Sequence, residues 1–127
     1  MARLRDRARR TPGATPSGLA QSYVDEGMRV EEYPGITFKS GPSGRRAALA
    51  AGPDVWEVIR VVREIDERGE AAIEAAAELL SLTMSQVRLT MRYYADYAAD
   101  IDAEIARNDA EAEAAYRAWQ IERRLVA

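Results

Sequence analysis

The sequence predicts a mainly α fold built around a helix-turn-helix, with a short β-hairpin before it and a long C-terminal helix after it. Three observations lead there. Between Asp54 and Tyr94 apolar residues recur at helical spacing in successive runs, the last two parted only by Ser81 and Leu82 before Thr83. From Tyr33 to Ala50 the pattern changes to short extended runs about a Ser40 to Gly44 turn. From Asp100 to Val126 there is no Gly or Pro, and Ala, Glu and Arg dominate.

The chain opens with Arg3, Arg5, Arg7, Arg9 and Arg10 against Asp6 alone, and Thr11 to Ser17 is rich in Pro, Gly, Thr and Ser. Residues 1–17 therefore read as a flexible basic arm. A helix is expected from Ser17, its cap, to about Met28, with Leu19, Ala20, Tyr23, Val24 and Met28 on one face. Pro34-Gly35 then starts an extended run with Ile36 and Phe38 on one side, and Arg46 to Leu49 returns as the second strand. After Gly52-Pro53, Asp54 and Glu57 form a variant capping box before Val55, Val58, Ile59, Val62 and Ile65, a stripe expected to end near Gly69. The next helix carries Ile73, Ala76, Ala77 and Leu80 inward. Thr83 with Gln86 makes a second capping box, followed by Met84, Val87, Met91 and Tyr94 toward the core. Residues 18–97 are thus read as one domain and 98–127 as a partner-binding helix whose sparse stripe, Ile101, Ile105, Ala112, Ala115, Trp119 and Val126, suits docking to another chain.

Composition narrows the chemistry. The 127 residues hold 18 Lys+Arg against 21 Asp+Glu, a net charge of −3, with no His and no Cys. Disulfides, thiolate nucleophiles, Cys-ligated metals and His-based triads are all excluded. Lys39 is the only lysine, so the positive charge is almost all arginine. No catalytic residue, metal ligand or cofactor site is expected, and the chain reads as a binding protein rather than an enzyme. The absence of a long apolar run predicts a cytoplasmic protein without a membrane span.

Charge is unevenly spread, since residues 96 to 113 hold seven acids against Arg107 alone. The two ends should seek different partners. For DNA, the helix after Thr83 presents Ser85, Arg88 and Arg92 outward, with Thr83 and Gln86 at its start, where Arg can pair with guanine and Gln with adenine. Arg45 and Arg46 at the hairpin and the N-terminal arginines add phosphate contacts through counterion release. The bland alternative is a solvated arginine face on an ordinary trihelical unit. For a protein partner, Tyr116 and Trp119 are the aromatic anchors beside Ile101, Ile105 and Ala112, flanked by Arg117, Arg123 and Arg124. Asp96, Asp100, Asp102 and Glu104 read as helix N-terminal acids complementing the macrodipole rather than as a metal site. Tyr93, Tyr94 and Tyr97 read as a seam between helices.

The segments Tyr33-Pro34-Gly35-Ile36-Thr37-Phe38, Gly44 to Leu49, Gly52-Pro53-Asp54-Val55-Trp56-Glu57-Val58-Ile59 and Gln86-Val87-Arg88 to Tyr93-Tyr94-Ala95 together resemble domain-of-unknown-function family 433. That family comprises small bacterial winged-helix-like domains that serve as antitoxins. The chain looks in particular like the actinobacterial, VapB-like antitoxins paired with PIN-like ribonuclease toxins, over about residues 18 to 106, although Tyr33 stands where many members carry His. The resemblance implies an antitoxin that binds a cognate toxin and represses its own operon on double-stranded operator DNA. It also implies a homodimer or a higher toxin–antitoxin hetero-oligomer. Arg117, Arg123 or Arg124 would then enter the toxin's carboxylate cluster and displace its metal. Competing readings are a stand-alone helix-turn-helix regulator or phage repressor, and a structural adaptor that ignores DNA.

Overall fold

The computed structural model describes residues 16–41 and 44–127. Among them are four helices and one hairpin: α1 (Pro16–Glu32), β1 (Ile36–Gly41), β2 (Gly44–Leu49), α2 (Val55–Glu64), α3 (Glu70–Leu80) and α4 (Met84–Leu125). The chain is mainly helical, with a small antiparallel hairpin, as expected. The N-terminal arginines Arg3, Arg5, Arg7, Arg9 and Arg10 lie outside the described residues.

α1 continues four residues beyond Met28, because no breaker occurs before Pro34 and the Tyr33 N–H still donates to Arg29 O at 2.8 Å. Its expected apolar stripe packs only in part, with Leu19, Ala20 and Tyr23 half-buried. Val24 and Met28 are 57% and 63% exposed. The phase of the helix is set instead by buried Tyr33 and by Arg29 one turn earlier, which reaches the Tyr93 hydroxyl at 2.9 Å and Asp100 at 3.2 Å. The strands pair from Ile36 with Leu49 to Gly41 with Gly44, burying Ile36, Ala47 and Leu49 while Phe38 is half-buried. Gly35 turns the chain into β1 at φ 103°, and a Cβ there would meet Leu89 Cδ2 of α4 at 2.8 Å. Only glycine suits both the left-handed backbone and the close approach.

α2 buries Val55, Val58 and Ile59. It ends at Glu64 rather than near Gly69, since Ile65 turns to extended backbone and Arg68 Nη1 donates to the carbonyls of Ile65, Asp66 and Glu67, each at 3.0 Å. The expected Asp54 capping box is absent: Asp54 holds the cap position, but its side chain makes no cap bond. Its carboxylate is taken by Arg46 and by the Trp56 indole N–H, so the hairpin outcompetes the helix end.

α3 buries Ala72, Ile73, Ala76 and Ala77 and closes on left-handed Ser81, with the Leu82 N–H returning to Ala77 O at 2.9 Å in a Schellman arrangement. The Thr83–Gln86 capping box forms in both directions, at 2.8 and 3.1 Å. Inward from it lie Val87, Thr90 and Tyr93; Met91 and Tyr94 are only half-buried. Thr90 tolerates burial because its hydroxyl donates to Val87 O at 2.7 Å. Tyr93 earns its place through aromatic neighbours, with ring centres 5.4 Å from Tyr33 and 4.7 Å from Tyr97.

The expected gap between the third helix and the C-terminal one is a single kink within α4, at Tyr97 (φ −126°, ψ 36°), where the Arg29 guanidinium lies 3.9 Å from the ring centre. Beyond it Ile101 and Ile105 join the core formed with Val55, Val58 and Val87, and Arg60 reaches Asp109 at 2.9 Å. The packed body therefore extends to about residue 109 instead of stopping at 97.

Candidate functional site

The outward side of α4's first turns carries Ser85, Arg88 and Arg92 within one helix face. Ser85 and Arg92 are exposed, and Arg92 has no hydrogen-bond or ion-pair partner among the described residues. Arg88 donates to Glu70 at 2.6 Å, and that bond holds the Glu70 carboxyl below its ordinary range. Both partners are solvent-exposed, so a phosphate can displace Glu70 at small cost. Thr83 and Gln86 are different: the Thr83 hydroxyl oxygen accepts from the Gln86 N–H and the Gln86 side-chain oxygen from the Thr83 N–H, so both are engaged in starting the helix.

The hairpin arginines are drawn into the fold. Arg45 forks onto Glu26 of α1 at 2.6 and 3.2 Å and lies 5.6 Å from the Tyr23 ring centre. Arg46 pairs with Asp54, whose carboxylate is nearly fully buried and also lies 3.8 Å from Lys39 Nζ. Removing Arg46 would take the closest cation from a buried carboxylate. Arg46 is thus a structural cation, and Arg45 is committed to α1. The single lysine closes the hairpin by donating to Gly52 O at 2.6 Å.

The tail divides the other candidate set in two. Ile101 and Ile105 are core residues and offer nothing to a partner, because the kink at Tyr97 lays this part of α4 against α2. Past residue 109 every residue of α4 is exposed except half-buried Gln120. The helical part of this projection, 110 to 125, is about 24 Å long at 1.5 Å per residue. On it the Tyr116 and Trp119 rings stack at 5.7 Å while remaining 57% and 49% exposed. Arg123 lies 5.1 Å from the Trp119 ring centre, Arg117 pairs with Glu113 at 2.6 Å, and Ala112 and Arg124 face solvent. At 100° per residue, Ala112, Ala115, Trp119 and Val126 continue the side that Ile101 and Ile105 bury lower down.

The four acids weighed as a metal site do not converge. Asp100 binds Arg29 at 3.2 Å, and Asp102 takes bonds from Arg63 at 2.5 Å and Tyr94 at 2.9 Å, which together hold it below the ordinary carboxylate range. Asp96 is exposed, and Glu104 turns inward. No group of three metal-ligating side chains occurs among the described residues, nor any helix long and apolar enough to cross a membrane.

Glu104 was missed as a site residue, although it lies three residues after Ile101 and one before Ile105, on the buried side. It is 8% exposed, and its Oε2 has no hydrogen-bond partner among the described residues. Burial pushes its carboxyl up to about 7; Arg107 and Arg46 oppose the shift, while Asp54 and Asp100 add to it. It lines a cavity of about 270 Å³ together with Arg46, Asp54, Trp56, Arg107 and Glu111. Arg29 and Arg63, which tie α1 and α2 to the tyrosines and acids of α4, carried no periodic signal either. Comparison with protein-family models, curated proteins and solved structures returns no match for this chain.

Proposed function

We propose that this chain is an antitoxin of the kind its sequence resembles, a cytoplasmic two-ended adaptor that holds a PIN-like ribonuclease on its C-terminal tail and its own operator DNA on the opposite part of the fold. The observation that carries the reading is the projecting half of α4, with a stacked Tyr116–Trp119 pair left uncovered. Covering those two rings removes on the order of 200 Å² of apolar surface, about 5 kcal/mol before ordering costs. Trp and Tyr in this position are the usual anchors of a protein interface.

In this reading α3, the Ser81–Thr83 turn and α4 act as a helix-turn-helix and β1–β2 as a small wing. Support comes from the free Arg92, the easily exchanged Arg88 and the rigid Thr83 cap that aims both. Arg124, exposed beside the aromatic pair, is the least encumbered of the arginines offered to an acidic toxin site.

The test is reconstitution with the ribonuclease encoded by the adjacent open reading frame. Tyr116→Ala with Trp119→Ala is expected to abolish inhibition while leaving DNA binding intact; Arg88→Glu with Arg92→Glu is expected to do the reverse. Inhibition that survives loss of both aromatic residues overturns the toxin assignment. Promoter binding unchanged by both charge reversals overturns the DNA assignment.

One observation favours a second reading, the stand-alone repressor whose tails pair with each other. The projection runs from Glu111 and Glu113 to Arg123 and Arg124, so two antiparallel copies would set acids beside arginines. A dimer that becomes monomeric on removal of residues 110–127, with no toxin needed, would select it.

A further inference from the structure

We infer that the cavity at the foot of the tail is a receptor for a guanidinium group, with Glu104 as its anchoring carboxylate. The geometry states the need. Glu104 is nine-tenths buried and its Oε2 has no hydrogen-bond partner among the described residues, while half-buried Arg46 is already paired with Asp54. The walls hold the carboxyls of Asp54, Glu57, Glu104 and Glu111 against the guanidiniums of Arg46 and Arg107, so one more positive charge is favoured there. Trp56 supplies an aromatic surface, and its indole N–H is occupied by Asp54 at 3.1 Å, which fixes the ring. A guanidinium suits this lining better than an ammonium, because it is planar, gives up water more easily and bonds two carboxylates at once.

The source of that group follows from where the cavity lies on α4, and this part rests on the reading that the tail docks a polypeptide. Glu104, Asn108 and Glu111 share an arc of about 100° around the helix axis with Ala112, Ala115 and Trp119, so the cavity and the apolar strip lie on one side of α4. From Glu104 to Trp119 is about 22 Å along the helix. A partner segment covering Trp119 therefore arrives at the cavity about fifteen helical residues later, and an arginine at that point is the side chain that enters.

The pocket is tested on the full chain with methylguanidinium chloride and with arginine amide, following the Trp56 indole N–H and the Glu104 carboxyl carbon by NMR. A saturable shift at both nuclei is expected, at least tenfold weaker in Glu104→Gln. Binding needs the ionised carboxyl, so affinity should be about tenfold greater at pH 8 than at pH 6. Asp54, Asp100, Glu57, Glu111, Arg46 and Arg107 surround the titrating group. Shifts that never saturate, or that persist in Glu104→Gln, overturn the proposal. So does methylammonium binding equally well, or a Glu104 that titrates in the ordinary carboxyl range in the free protein. Tyr116→Ala with Trp119→Ala should leave methylguanidinium binding unchanged, which separates failure of the pocket from failure of tail docking. Arginine amide binding tightly by itself, with no gain when arginine is placed in an apolar helical peptide, would assign the pocket to a free metabolite and sink the partner-derived source.

Discussion

Replacing Glu104 by Gln should make the protein more stable, and only above mildly acidic pH. The carboxyl is raised from 4.5 to about 7 by burial, and moving a carboxyl that far corresponds to about 3 kcal/mol. Between these values the folded chain keeps a proton that the unfolded chain has released. Stability therefore falls as pH rises from 4.5 to about 7 and is level above it. Glutamine keeps the size and the hydrogen-bonding ends but never ionises, so the variant should match wild type near pH 4.5 and exceed it by up to about 3 kcal/mol at pH 8. Urea unfolding followed by circular dichroism at both pH values, with the slope against urea unchanged, measures the difference directly. The paired carboxyls Asp102 and Glu70 are lowered, lose their contribution only at more acidic pH, and cancel in the comparison. An equal difference between variant and wild type at the two pH values would refute the argument, because it would mean that Glu104 does not carry its charge into a desolvated place.

Three other outcomes follow from the fold. Gly35→Ala should cost about 1–3 kcal/mol in urea unfolding, since the new methyl meets Leu89 on a left-handed backbone; a neutral effect would mean that α4 yields freely there. Thr83→Ala should cost about 1 kcal/mol by loss of the cap, with Ser85→Ala two residues on changing stability by under about 0.5 kcal/mol. Removing residues 110–127 should lower total helical signal yet leave the urea midpoint nearly unchanged, because the last ion pair to the body among the described residues is Arg60–Asp109; a large drop would place the tail on the body in solution.

Local signals survived folding wherever one element could satisfy them alone. The Thr83–Gln86 box and the Gly-bounded hairpin need only neighbouring residues, and both form. Asp54 shows the opposite case: its spacing to Glu57 reads as a cap, yet its carboxylate is taken by a cation from β2 and by the Trp56 indole instead of by the helix-end N–H groups. Arg46 and Arg45 looked free for phosphate for the same reason, since sequence does not disclose the acid that folding sets beside a base.

What the amino-acid order by itself determined is the kind and order of the elements, the cap that starts α4, and a tail whose aromatic pair has no counterpart in so small a core. Only the tertiary structure decided which half of the C-terminal stripe is used internally. The kink at Tyr97 directs Ile101, Glu104 and Ile105 onto α2, whereas Trp119, on the same helix side, lies beyond the last residue that could cover it. Periodicity states which side of a helix is apolar; the length of the body beneath that side decides where burial stops and where an interface can begin.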